Sequence, residues 1–530
     1  MPGPSRLISH AATLTALAGV PLLLIVFTIT FHELLEYFSD DPDYAYLFNG
    51  LNLIQFHRSE FTEHPGTTLQ IFSGFIIGSV WLFRAPFQGL PTLQDDVLLH
   101  PELYLYAINL AMAIIGAGAI FFLGWRIRAY SRSIAAGMVA QVSMFVSVPV
   151  LTLGIARVAP EVFLIVLTVL LAAVLVPAVF SPSSPQTFRF GAQVGTIIGA
   201  CLATKMTAAP LVLTVLYLRD RKAQIAAILG VLIFGVVFTL PAASHYRRMM
   251  KSFFAYATHI GPNGTGPVGS LPLAELWANL STLFGVAPEM FVTVALCGLL
   301  SLRYAVIAQL DKTRLFMIAA LVVCVQLAMV AMQPRAHYLV PAVAIMSLAN
   351  GGIAAIVMTE RSWRRGIGAL LGAVLLALGL RHAAGETSRW LAVERAQRQD
   401  NLGFARAAAA AHPGCVHVYY YDAPTIEYKL LFGDGWAGGR YSQRLTELYP
   451  NYVAYGVLNP IDGDQWLAEK KCVYFIGSPL ERFEHNDFGL GISPDYLEMV
   501  SRTGRGLGGI ALYELRRPPN GGSVFTVRRQ

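Results

Sequence analysis

The feature that most constrains this chain is a recurrence. Apolar runs, most of them about 20 residues long and so able to span the hydrocarbon core of a bilayer, follow one another from residue 11 to residue 380. Short loops carrying Lys and Arg punctuate them. Inside a bilayer every backbone N–H and C=O must find a partner within the protein, which confines such a chain to a bundle of helices. The composition agrees: 13% of residues are charged and 55% hydrophobic, with a mean hydropathy of +0.54, where soluble domains carry about 25% charged residues. The formal net charge of +7 lies largely in the loops. There it reads as the basic bias that orients spans and not as a nucleic-acid footprint.

The pattern predicts a polytopic α-helical membrane protein with about eleven segments, at 11–31, 67–83, 104–125, 134–153, 162–180, 190–218 (two short helices), 225–240, 291–302, 315–332, 338–358 and 367–380. Arg6 places the N-terminus in the cytoplasm. The first run lacks a small-residue cleavage site and reads as a retained anchor. That orientation puts a first loop, 32–101, on the outer face. Residues 67–83 form a short run before a polar loop, as a juxtamembrane or re-entrant helix would. The run 190–218 begins and ends at basic residues, yet is too short for two full crossings. A hairpin of two short helices fits, with Lys205 at its turn. Beyond a transmembrane region at 1–380, residues 381–530 change character. Strand-like VHVYYY, CVYFIG and GIALYEL mix with helical NLGFARAAAAA and DGDQWLAEK, which predicts an extracytoplasmic α/β domain. Cys415 and Cys472 each lead a strand-like run. They could bridge in an oxidising compartment, although spacing alone does not establish it.

Polar groups beside or inside apolar runs are costly and call for a role. Under this topology they fall on one face. Asp40, Asp41 and Asp43 directly follow the first run. Glu63 and His64 precede residues 67–83, Arg157 and Glu161 mark an outer turn, and Lys205 sits within its apolar run. His259 lies in a later outer loop, and Arg335, His337 and Tyr338 precede a late span. Bland readings exist for each: helix capping for the aspartates, snorkelling for Lys205, an interfacial anchor for Arg335 and His337. One reaction would use the whole set. Transfer of a sugar from a lipid phosphate to a hydroxyl needs a carboxylate to take the acceptor's proton and positive charge to hold the departing phosphate. Asp41, Asp40 or Asp43 suits the first task. Lys205, Arg335, His337, Tyr338 and Arg157 suit the second. Glu63, His64, His259 and Glu161 offer the oxygen and nitrogen donors a divalent ion (Mg, Mn or Zn) would need, with no fixed spacing linking them.

At these residues the chain resembles the GT-C class of membrane glycosyltransferases, in particular the lipid A aminoarabinose transferases and the protein O-mannosyltransferases. The resemblance rests on SDDPDYAY, EHPGTTLQ, ARVAPE, LATKMT, FFAYATHIG and PRAHYLVP, in that order, and covers residues 10–380. Gly66 stands where the family has a second proline, and His64 where some relatives have lysine. Either Asp40-Asp41 or Asp41-Pro-Asp43 matches the family's carboxylate pair, and Asp41 belongs to both. The resemblance implies a polyprenyl-phosphate sugar donor, a lipid, glycan or protein acceptor, inversion at the anomeric carbon and metal dependence in some members. From the loop topology and the Ala- and Arg-rich usage, the expected place is the bacterial inner membrane, with residues 381–530 periplasmic. A transporter or flippase for an anionic lipid is the alternative, and a non-catalytic membrane scaffold a third.

Overall fold

The computed structural model describes residues 4–31, 40–62, 65–87, 89, 91–154, 157–181, 184–259, 268–269, 271–359, 362–421, 423–449, 451–453, 466–467, 469–480, 492–503, 509–517 and 523–524. Among the described residues, nine helices are long and apolar enough to cross a membrane: Ala12–Thr30, Thr67–Phe87, Pro101–Ser131, Pro160–Phe180, Arg221–Ala255, Pro288–Val306, Leu310–Met332, Ala336–Thr359 and Arg365–Ala411. Two shorter apolar helices, Ile134–Ser143 and Met206–Tyr217, join them. The chain is thus a polytopic helical membrane protein with a small C-terminal sheet. The described residues fall into two compact units. One is Met1–Glu33, Thr62–Phe72 and Tyr106–Ser388; the other is Leu34–Phe61, Ser73–Leu105 and Arg389–Gln530.

The core of the first unit forms around Pro160–Phe180, which is apolar on every face, as a helix buried on all sides must be. Its Leu164, Val169, Leu171 and Leu175 are fully buried. Val340–Thr359 packs on it and on Ile134–Ser143. The run expected to cross at 134–153 is divided, and a second helix begins at Val148. Pro149 supplies the reason, since it can start a helix but cannot donate back into a preceding one.

The expected hairpin at 190–218 is present. Phe188–Thr204 is α-helical and Met206–Tyr217 is 3-10, with Lys205 between them. The α-helical arm lies against Arg221–Thr239 along a seam of glycines spaced four apart, Gly191, Gly195 and Gly199, an arrangement that lets helix backbones touch. A Cβ at Gly191 or Gly195 would run into the carbonyl of Ala223 or Ala227.

In the second unit four strands, β1 (Val416–Tyr419), β2 (Val473–Gly477), β3 (Leu497–Arg502) and β4 (Ala511–Leu515), form one sheet in the order β1-β2-β4-β3. β1 and β2 are parallel, with Val416 opposite Val473, and β4 is antiparallel to both its neighbours. A Cys415–Cys472 disulfide, Cα atoms 4.9 Å apart, staples the start of the parallel pair. Alternation along β2 sends Phe475 to one face, while Tyr474 and Ile476 meet Ala405 and Ala408 on the other. Those alanines end the helix Ser362–Ala411, 50 residues without interruption. The expected boundary at 381 is therefore not a helix end. The segment after it is rich in Ala, Glu, Gln and Arg, strong helix formers, and the helix stops only before Pro413 and Gly414.

Gly195→Ala is expected to lower thermal stability by about 1–3 kcal/mol, since the seam cannot open without moving a backbone. Gly298→Ala, inside Pro288–Val306 at a position with nothing within 4 Å, should not lower it and should raise it by up to about 1 kcal/mol. Thermal unfolding of the purified protein in detergent reads both.

Candidate functional site

In the first unit the site begins where a helix breaks. Lys205 takes an extended backbone, φ −161° and ψ 134°, and ends Phe188–Thr204. The chain resumes as a 3-10 turn containing Pro210, which lacks an N–H to continue an α-helix. Breaking a helix exposes carbonyls that need donors. The segment after residues 63–64 provides them. Gly66 N–H donates to the Thr204 carbonyl at 3.0 Å, and Thr67 Oγ1 to the Ala203 carbonyl at 3.3 Å. Gly66 has φ +61°. A proline there could neither adopt that angle nor donate that bond, which accounts for glycine at this position.

Lys205 is 5% exposed. Its Nζ donates to Glu161 Oε1 and lies 4.6 Å from the centroid of the Tyr338 ring, so both a carboxylate and an aromatic face stabilise the cation. Glu161 is in the first turn of Pro160–Phe180, where the helix dipole favours an anion. His337 Nε2 lies 3.8 Å from the same carboxylate oxygen, and its ring meets Tyr338 edge-on, centroids 4.4 Å apart. Arg157 and Arg335 are near enough for their charges to act on His337. Gln326 ties the two sides together. Its Nε2 donates to the Thr207 carbonyl at 3.1 Å and the Tyr338 carbonyl at 2.6 Å.

The second unit holds the acidic loop. Asp40–Tyr44 forms a single π-helical turn before Ala45–Ile54. Asp43 is fully buried, while the side chains of Asp40 and Asp41 lie outside the described residues. Tyr44 donates to Glu102 Oε1 at 3.1 Å, and burial together with Glu102 pushes its phenol well above the usual range. The turn rests on Ile426–Trp436. A Cβ on Gly433 would come within 3.0 Å of the Tyr44 Cβ and carbonyl. Asn49 donates to the Trp436 carbonyl at 3.0 Å and accepts from the Glu60 N–H at 2.8 Å, and Tyr441 donates to Asn52 at 2.7 Å. Further along, Arg444 grips Asp95 at 2.7 and 3.1 Å and holds that carboxyl below its ordinary range.

Set against known proteins, the chain is similar to two crystal structures of ArnT from Cupriavidus metallidurans. One is bound to undecaprenyl phosphate: 11% identity, TM-score 0.43, with 92% of this chain and 97% of that one covered. The other is the apo state: 13% identity, TM-score 0.41 and the same coverage. No family model matches the sequence, and no curated protein does.

Of the residues singled out from sequence, buried Glu161 and Lys205 meet half-buried His337 and Tyr338 in one cluster, with Arg157 and Arg335 near enough to act on His337. His259 ends Tyr246–Thr258, its Nδ1 3.1 Å from Thr258 Oγ1. Glu63 and His64 lie outside the described residues. No group of three or more His, Cys, Asp or Glu able to hold a metal ion occurs among the described residues, and Glu161 is engaged with Lys205. Sequence reasoning overlooked Gln326, whose signal was an amide in the middle of an apolar run. It also overlooked Asn49, Asn52 and Gly433, which carry no local signal.

Glu161→Gln leaves a buried ammonium without its counter-charge and is expected to cost about 3–5 kcal/mol. Adding Lys205→Met should recover most of that loss. Thermal unfolding of the single and double variants decides it. A double variant no more stable than the single would show that the pair is not what holds the cluster.

Proposed function

We propose that this chain is an inverting glycosyltransferase of the bacterial inner membrane. It moves a sugar from a polyprenyl-phosphate donor to a hydroxyl of a lipid, glycan or protein acceptor on the outer face, with its N-terminus cytoplasmic and its C-terminal domain periplasmic. The observation that carries the reading is the assembly of buried Glu161 and Lys205 with half-buried His337 and Tyr338 at a helix break. Beside it stand Arg157 and Arg335. An anion entering there meets the charges of Lys205, Arg157 and Arg335 and a histidine against one carboxylate, the charge balance a phosphate leaving group needs.

In this mechanism the acceptor oxygen attacks the anomeric carbon as the bond from that carbon to the phosphate oxygen breaks. A single displacement inverts the centre. The acceptor's proton passes to Asp41, with Asp40 and Asp43 as its acidic neighbours, and the polyprenyl phosphate departs with its charge met by Lys205, Arg157, Arg335 and His337. The leaving group is already stabilised, so no separate general acid is required. Glu161 and Tyr338 hold Lys205 in place. Glu63, His64 and His259 have the donor chemistry for a divalent ion, which would supply further positive charge to the phosphate. The broken hairpin with a charge at its tip also suits a transporter of anionic lipids, which would have no use for a proton acceptor.

Asp41→Asn should lower transfer by at least about 100-fold while polyprenyl phosphate, read by mass spectrometry of co-purified lipid, stays bound. Lys205→Ala should lose the lipid instead. Undiminished transfer by Asp41→Asn would remove Asp41 as the base. In a second measurement, transfer assayed in excess chelator and again after adding back Mg, Mn or Zn is expected to fall and recover; activity that persists in chelator would exclude an obligatory ion.

A further inference from the structure

The helix Tyr246–Thr258 has no part in the proposed chemistry, and its make-up is distinctive: YRRMMKSFFAYAT. At 100° per residue, Arg247, Arg248 and Lys251 share one side. Met249, Met250, Phe253 and Tyr246 share the other. Arg247 and Lys251 are exposed. Met249 is buried, only 6% exposed, while Met250 and Phe254, which border the cationic side, are 47% and 65% exposed. Apolar side chains bordering a row of cations are what a helix lying in a headgroup layer presents.

Its place in the chain fixes its depth. The apolar stretch Arg221–Ala255 has 35 residues, where a crossing needs about 20. Arg221–Thr239 alone has 19 and completes the crossing. The remainder must leave the hydrocarbon. A 3-10 segment, Leu240–His245, with Pro241 at its start, interrupts the α-helix at that point. Across the junction the Tyr246 and Thr239 hydroxyls are hydrogen-bonded at 2.8 Å, which ties the start of the basic helix to the end of the span. The helix therefore emerges at the bilayer surface with its cations where lipid phosphates lie.

We propose that Tyr246–Thr258 is an interfacial helix that binds anionic phospholipid headgroups through Arg247, Arg248 and Lys251, with Met250 and Phe254 inserted among the acyl chains. The inference is independent of the glycosyl-transfer reading. Exposed cations near an anionic surface attract it additively, and the attraction is screened within about 10 Å at 0.1 M salt.

The test is native mass spectrometry of the full chain in neutral detergent, titrated separately with phosphatidylglycerol and phosphatidylcholine. A preference for phosphatidylglycerol of about tenfold or more is expected, shrinking as salt is raised. Arg247→Gln/Arg248→Gln/Lys251→Gln should abolish it, while Arg247→Lys/Arg248→Lys should retain it. Should the triple variant not fold, Arg247→Gln and Lys251→Gln singly must each reduce the preference. Equal binding of the two lipids, a preference that survives neutralisation in the folded variant, or one that the double lysine variant loses would each overturn the proposal.

Discussion

A charge placed in a helix break inside an apolar bundle persists only if the protein answers it, and the Glu161–Lys205 pair is that answer here. Much of the first unit can be read as what the pair demands. The carboxylate stands at a helix N-terminus, where backbone dipoles support it. The ammonium lies against an aromatic face. The carbonyls freed by the break are claimed by Gly66 and Thr67, and Gln326 binds the segment after the break to the one carrying Tyr338. Such a pair contributes little net stability against an apolar alternative.

How far the sequence discloses this depends on range. The spans were legible because their signal is long and local, and the hairpin was legible because Lys205 interrupts it. The strands β1, β2 and β4 announced themselves through buried aromatic and β-branched runs. β3 did not. It is an edge strand, LEMVSR, exposed at all but its first residue, so it lacks the apolar alternation that marks a strand. The helix Ser362–Ala411 runs through residue 381, where composition turns from apolar to polar, because helix propensity continues across that change.

The candidate site was legible where a polar residue breaks an apolar pattern, as at Glu161, Lys205 and His337. It was hidden where the partner is an ordinary residue far away. Asn49 resembles any helix asparagine until its bond to the Trp436 carbonyl is seen. Gly433 resembles any glycine until Tyr44 is found against it. Neither has a neighbour in sequence that betrays its role.

The reach of Asn49 to Trp436 bears on biosynthesis. The Asn49–Trp436 bond joins positions 387 residues apart. At a synthesis rate of about 5–20 residues per second, the acidic turn waits tens of seconds for the helix that seats it. A nascent chain can thus insert its spans while its carboxylate loop is still unsupported, and the loop acquires its final shape only once the ribosome has passed Trp436.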